Sequence, residues 1–363
     1  MGHVGEFFVD FHQYLGEDSE LKEGAPQFSE NPDLLLGLYR NMVEARHFDQ
    51  QVIALQRTGE IGTFASILGQ EAVGAAIGHA LKEIDIFVPY YRDTGAQRMR
   101  GVKFQEILLF WGGDERGNNF STGLARKDFP YCVPIATQVT HAAGVAAALR
   151  IQERPGAVLV TCGDGATSRG EFLESINLAG VWKLPLVIII NNNQWAISEP
   201  VALQTRAKTL AQKAVSAGIP GEQVDGNDAL ALYERVRIAL ERAREGSGPT
   251  LIEAKTYRLG DHTTADDATR YRSSEEVDHA WKFEPIGRLR KFLEKRKLWD
   301  AEQEAGLLEV CRQSVDAAVA DFQNTAQQPV TAMFDHLYQT LPRLYHEQRE
   351  ELINKYQAEH GKL

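Results

Sequence analysis

Two polar clusters close two apolar runs in the middle of the chain. Gly163, Asp164 and Gly165 follow the run AVLVTC, and Asn191, Asn192 and Asn193 follow the apolar residues from Leu186. An aspartate and an asparagine amide oxygen are hard ligands that suit Mg²⁺ or Ca²⁺. A glycine at 163 lets a phosphate or metal approach the backbone, and Gly165 is expected to lead into a helix whose free N–H groups and dipole favour an anion. Together the clusters describe a metal-assisted diphosphate site. A third feature is His262, in a polar segment from Gly260 to Arg272 that is bracketed by Tyr257-Arg258 and Tyr271-Arg272. That composition suits a mobile active-site loop, and an imidazole of near-neutral pKa in it can donate or accept a proton.

Such groups need elements that hold them at one place. Residues 157–162, 186–191 and 250–255 are β-branched runs too apolar for a sheet with one wet face, and longer helical stretches alternate with them. The pattern predicts an α/β fold, a doubly wound and mostly parallel sheet with helices on both faces. Both polar clusters then fall at the carboxyl ends of neighbouring strands, where open α/β sheets bind ligands. Apolar residues 172, 176 and 179 and then 232, 236, 239 and 243 repeat at helical spacing, the second series capped by Asn227 or Asp228. Residues 137–150, TQVTHAAGVAAALR, predict a helix of unusually small side chains that admits a close neighbour, either an internal helix or another chain. Residues 1–30 read as an arm lying on a surface, 31–275 as the diphosphate- and metal-binding domain, and 276–363 as a helical C-terminal region.

The chain resembles thiamine-diphosphate enzymes, whose motif is Gly-Asp-Gly followed by an Asn pair, and more closely the alpha subunit of the decarboxylating component of 2-oxo-acid dehydrogenase complexes. The resemblance rests on GQEA at 69–72, YRD at 91–93, PIATQ at 134–138, the two clusters, VDGND at 224–228 and YRLGDHTTADDATRYR at 257–272. It implies the thiamine-diphosphate-binding fold, with Asp164, Asn193 and the carbonyl of Trp195 on Mg²⁺. It also implies Tyr91 and Arg92 on the diphosphate, beside Gly163 and Gly165, and Ile135 propping the cofactor. His262 is implied to assist acyl transfer to a lipoyl group. Pro134, Thr137 and Gln138 match a potassium site of some relatives, although Cys132 stands where a Ser ligand is found. The implied activity is oxidative decarboxylation of a small 2-oxo acid, pyruvate first, with branched-chain 2-oxo acids and acetoin left open. The implied partners are a beta subunit in an α2β2 heterotetramer, needed because one sheet supplies no activating glutamate, and the lipoyl domain and acyltransferase core. Departures from the animal pyruvate enzymes are Ala65 in place of a His, and Thr263 and Arg270 in place of the phosphorylated serines.

Composition limits the alternatives. With 39 Lys+Arg against 50 Asp+Glu, the formal charge of −11 argues against a nucleic-acid partner. Three separated cysteines form no disulfide framework or cysteine zinc site and fit a reducing cytoplasm. Glu6 and Asp10 interrupt any secretory signal core, and no run reaches the roughly 18 apolar residues of a membrane span. A phosphatase of the haloacid dehalogenase type also carries a Gly-Asp-Gly metal site, but no DxD strand precedes residue 163. An inactive binding homologue is the remaining alternative, and the joint presence of Asp164, Asn193, Arg92 and His262 argues against it.

Overall fold

The structure, a computed structural model, describes residues 2, 5–120 and 123–361. Its strands are β1 (Phe11–His12), β2 (Ile86–Val88), β3 (Val158–Gly163), β4 (Leu186–Asn192), β5 (Trp195–Ala196), β6 (Glu199–Pro200), β7 (Gly221–Asp225) and β8 (Thr250–Lys255). Six of them pair in parallel in the order β1-β7-β8-β4-β3-β2, while β5 and β6 form a small antiparallel hairpin. The three apolar runs become the central strands, buried on both faces as their composition requires. Alternation along each strand feeds two cores. Val187 and Ile189 face the helices Pro32–Arg57, Glu71–Ala80, Ala229–Arg244 and Pro285–Lys295, whereas Ile188 and Ile190 face Thr137–Ile151 and Gly170–Val181.

Three expectations change. The first residues do more than lie on a surface: β1 adds an edge strand, and Leu15 is buried in the core. The reason is Asp228, the N-cap of helix Ala229–Arg244, whose carboxylate accepts from the amides of Tyr14 (2.6 Å), Leu15 (2.8 Å), Leu230 (3.0 Å) and Ala231 (3.1 Å). The compact unit also runs past residue 275, to Val319, because Ile286, Leu289, Phe292 and Trp299 join the core; a second unit spans Ala320–Leu363 and holds the helices Ala332–Asp335 and Arg343–His360. Gly165 does not open the long helix. Asp164–Ser168 forms a 3₁₀ turn, closed by the Thr167 hydroxyl on the Asp164 carbonyl (2.8 Å), and the helix begins at Gly170. Among the described residues no helix is long and apolar enough to cross a membrane.

The short strand β2 is anchored from below. Arg100, 2% exposed, makes a bidentate pair with Asp128 (2.7 and 2.8 Å) and also bonds the carbonyls of Lys82 and Asp85; Asp128 in turn accepts from the Phe87 amide (2.8 Å). Removing one partner of a buried pair strands the other charge. Arg100→Met is therefore expected to cost about 3 kcal/mol or more, read as a lowered urea midpoint, and an unchanged midpoint would show that the pair does not anchor β2.

Candidate active site

The carboxyl ends of four adjacent strands, β2, β3, β4 and β8, open on one cavity of about 740 Å³. After β2 come Tyr91 and Arg92, at the end of β3 and just after it Gly163, Asp164 and Gly165, after β4 Asn193 and Trp195, and after β8 His262; Ile135 enters from the segment before helix Thr137–Ile151. All nine residues singled out in the sequence line this cavity. Parallel register does the gathering. Gly163 pairs with Asn191, so Asp164 and Asn193 emerge side by side although 29 positions separate them in sequence.

The triplet of asparagines divides by role. The Asn191 amide donates to the Tyr90 hydroxyl (2.7 Å), Asn192 to Glu253 (2.7 Å), and only Asn193 lines the cavity. Its Nδ2 donates to Gln70 Oε1 (3.2 Å), which leaves Oδ1 as the atom available beside Asp164; that oxygen accepts from the Trp195 amide (3.2 Å). Asp164 is 1% exposed, burial pushes its carboxyl above the usual range, and its direct side-chain partner is Gln204 (2.8 Å). Gly165 is required where the β5–β6 hairpin crosses the turn, since a Cβ there would meet Ala196 at 2.8 Å. Asp164, Asn193 Oδ1 and the Trp195 carbonyl make a hard oxygen set with unused lone pairs, and the buried carboxylate has no cationic side chain bonded to it. That set fits Mg²⁺. No cluster of three or more His, Cys, Asp or Glu side chains able to hold a metal occurs among the described residues, so a metal here depends on amide, carbonyl and ligand oxygens.

A group of cations lies on the other side, where Arg92 lines the cavity and Arg258 and Arg272 stand behind the lining. Arg92, Arg258 and Arg272 are all buried, and every hydrogen bond they donate goes to a neutral acceptor. Arg258 reaches the carbonyls of Trp195 (3.2 Å) and Ile197 (2.9 Å) and the Tyr271 hydroxyl (2.7 Å), which itself donates to Asp266. Arg272 clamps the carbonyls of Arg258, Leu259 (3.3 Å) and Gly260 (2.5 Å). Arg92 does not present the free fork expected of it. Its Nη atoms bond the Ser66 carbonyl and, at 2.7 Å, the His262 carbonyl, because a buried guanidinium needs acceptors. Unpaired buried cations are costly, and the arrangement becomes favourable when an anion enters the cavity.

His262 sits between them. Arg92 and Arg258 approach its Nδ1 at 3.2 and 3.3 Å, so that nitrogen accepts and the ring proton belongs on Nε2. Burial, with the two guanidiniums adding to it, lowers its pKa to about 4. The near-neutral value expected from sequence is thus displaced downward, and the imidazole is a neutral donor at physiological pH. Its backbone amide donates to Asp266 (2.9 Å). The loop is well connected. Thr264 and Phe64 exchange two bonds (2.8 and 3.0 Å), and Leu259 donates to the Leu68 carbonyl (3.1 Å), so residues 64–68 run beside residues 259–264. Gln204 and Trp111 escaped the sequence reading. Gln70 and Arg258 lay inside quoted motifs, GQEA and the segment 257–272, without being given a role.

Comparison with known proteins adds to this geometry. The family model described as "Dehydrogenase E1 component" matches residues 39–331. The chain is 43% identical over 325 residues to the pyruvate dehydrogenase E1 component subunit alpha of Staphylococcus aureus strain Mu50, covering 88% of this chain and 87% of that one. It is 42% identical over 325 residues, with the same coverage, to the protein of that name from Staphylococcus epidermidis strain ATCC 12228.

The electrostatics of this group of cations are testable in the protein by itself. Arg258→Met removes one of the two cations that depress His262, so the imidazole midpoint should rise from about 4 by on the order of one pH unit. Histidine-selective ¹⁵N NMR measures it, and a midpoint equal to that of the parent would remove Arg258 as a cause.

Proposed function

The chain belongs to the dehydrogenase E1 component family, and from that premise we propose that it is the alpha subunit of a pyruvate dehydrogenase: it takes pyruvate, releases CO₂ and passes the acyl group to the lipoyl group of an acyltransferase component. The observation that carries this reading is the meeting at one cavity of a buried oxygen set, Asp164, Asn193 and the Trp195 carbonyl, with the buried guanidinium of Arg92, backed by Arg258 and Arg272, none of which bonds a carboxylate among the described residues. Thiamine diphosphate, when bound, supplies the electron sink for decarboxylation. Asp164, Asn193 and the Trp195 carbonyl would hold Mg²⁺. Tyr91 and Arg92 would face the diphosphate, with Gly163 offering uncrowded backbone, Gly165 beside it, and Arg92 contributing chiefly charge. Ile135 would press on the cofactor from the apolar side. His262, neutral with its proton on Nε2, would donate that proton to the lipoyl sulfur. Support for a potassium ion is limited to Gln138 Oε1, which is buried without a partner, near Pro134 and Thr137.

A second chain is needed to complete the site. Asp164 and Glu199 are the carboxylates lining the cavity, and neither belongs to the loop that carries His262. Among the described residues, then, the loop that carries His262 brings no carboxylate to the cavity for an aminopyrimidine. The mouth is apolar and uncovered, with Val133 52%, Ile135 50% and Ile197 51% exposed. Helix Thr137–Ile151 leaves Gly144, Ala148 and Ile151 outward, and helix Gly170–Val181, packed beside it, leaves Leu173, Leu178 and Val181 outward. These surfaces suit a beta subunit and a second protomer in an α2β2 assembly. The three free cysteines suit a cytoplasmic setting.

Asp164→Ala should weaken Mg²⁺-dependent binding of thiamine diphosphate to the assembled tetramer by more than tenfold, over about 1.4 kcal/mol, by calorimetric titration; unchanged affinity would remove the metal assignment. The purified chain alone should not decarboxylate a 2-oxo acid, and co-expression with a beta subunit should restore turnover. Turnover without a beta subunit detectable by mass spectrometry would overturn the half-site reading. His262→Ala should leave cofactor affinity intact and lower acyl transfer to a lipoyl domain by at least about 10², with a smaller loss when an artificial electron acceptor replaces the lipoyl group. Equal small losses in both assays would return His262 to an ordinary loop residue.

A further inference from the structure

The end of the cavity beside His262 differs in chemistry from the end beside Asp164. Thr63, Ala65, Trp111 and Thr263 line it with His262. Phe64, between Thr63 and Ala65, is tied by both backbone atoms to Thr264, and its ring meets Trp111 edge-on with centroids 5.1 Å apart. Trp111 is wedged further by Phe110 (5.3 Å) and by the buried Tyr131 (6.4 Å), while its carbonyl accepts from Gly62 (3.1 Å). Three aromatic neighbours and a backbone bond leave this indole little room to turn. The flanking wall positions, Thr63 and Ala65, are small. Trp111 is therefore the bulky, immobilised side chain at the reacting end, and the others there cannot substitute for its volume.

We propose that Trp111 is a specificity-determining residue, the wall that limits the acyl chain of the 2-oxo acid and favours the shortest substrate. The inference rests on the decarboxylase reading and deepens it. A rigid aromatic wall rejects added methylene groups because neither the ring nor its packed neighbours can move aside without strain, and one or two methylenes decide about 10- to 200-fold in rate. Truncating Trp111 opens volume next to Phe64, and among the described residues no hydrogen bond or ring contact ties the indole to His262, the metal oxygens or the guanidiniums.

The test uses the cofactor-loaded tetramer, as wild type, Trp111→Leu and Trp111→Ala, with kcat/KM measured for pyruvate, 2-oxobutanoate and 3-methyl-2-oxobutanoate. Trp111→Ala should raise the ratio of 3-methyl-2-oxobutanoate to pyruvate at least tenfold, with Trp111→Leu between it and wild type. An equilibrium measurement keeps the outcome independent of turnover: affinity for methyl acylphosphonates, which imitate a 2-oxo acid and cannot lose CO₂, should fall with chain length in wild type and fall less in both variants. Unchanged ratios and unchanged chain-length dependence in an enzyme that decarboxylates pyruvate would overturn the role of Trp111 alone. A wild-type tetramer inactive on every 2-oxo acid would overturn the decarboxylase reading and the inference with it.

Discussion

Buried positive charge without a carboxylate to answer it is the constraint around which the site is built. Arg92, Arg258 and Arg272 are taken out of water, and the chain satisfies their N–H groups with carbonyl oxygens, a tyrosine hydroxyl and an imidazole. Neutral acceptors meet the hydrogen-bonding requirement and leave the charge standing. The field this produces is visible in its neighbours: repulsion from Arg92 and Arg272 adds to burial in lowering the pKa of Arg258, and His262 is held neutral. A ligand of the opposite sign is what makes such an interior stable rather than strained.

The same guanidiniums tie the parts together. Arg258 bonds the Trp195 carbonyl of the proposed metal set, His262, and the Tyr271 hydroxyl that anchors Asp266, which in turn receives the His262 amide. One side chain therefore links the β5–β6 hairpin to the loop after β8. An anion that shields Arg92 and Arg258 also relieves the repulsion that depresses His262, so occupation of the anionic end raises the basicity of the imidazole at the reacting end. The coupling is electrostatic and needs no rearrangement of the backbone.

Much of this was legible in the sequence, and what was not shares a cause. The central strands were readable because burial on both faces imposes unbroken apolar runs, and Asp228 because a cap acts on residues two and three positions away. β1 and β2 were not, since two or three residues carry no period, and β7 alternates too briefly to stand out. Among site residues, Asp164 and Asn193 announced themselves through local motifs. Gln204 did not, and Gln70 stood in the GQEA motif without a role, because each acquires its role from a contact across the fold: Gln204 bonds a residue 40 positions earlier, and Gln70 one 123 positions later. The internal bonds of Arg92 and the lowered pKa of His262 share one reason. Sequence gives the type of a group, and burial beside other cations changes what that type does.

The two ends of the cavity obey different physics, and that difference fixes an orientation. At the Asp164 end hard oxygens reward charge, and an apolar group there would leave Asp164 desolvated for nothing. At the Trp111 end, Phe64, Phe110 and Tyr131 stiffen an apolar surface on which a charged group would lose its hydration without compensation. On the proposed reading, a molecule with one anionic end and one apolar end would lie with its anion toward Asp164 and Arg92 and its apolar part toward Trp111. The apolar side of that molecule would still meet solvent past Ile135 and Val133, which stand half exposed. Water there would screen the field that the buried guanidiniums create, so the proposed reading calls for a second subunit over the mouth.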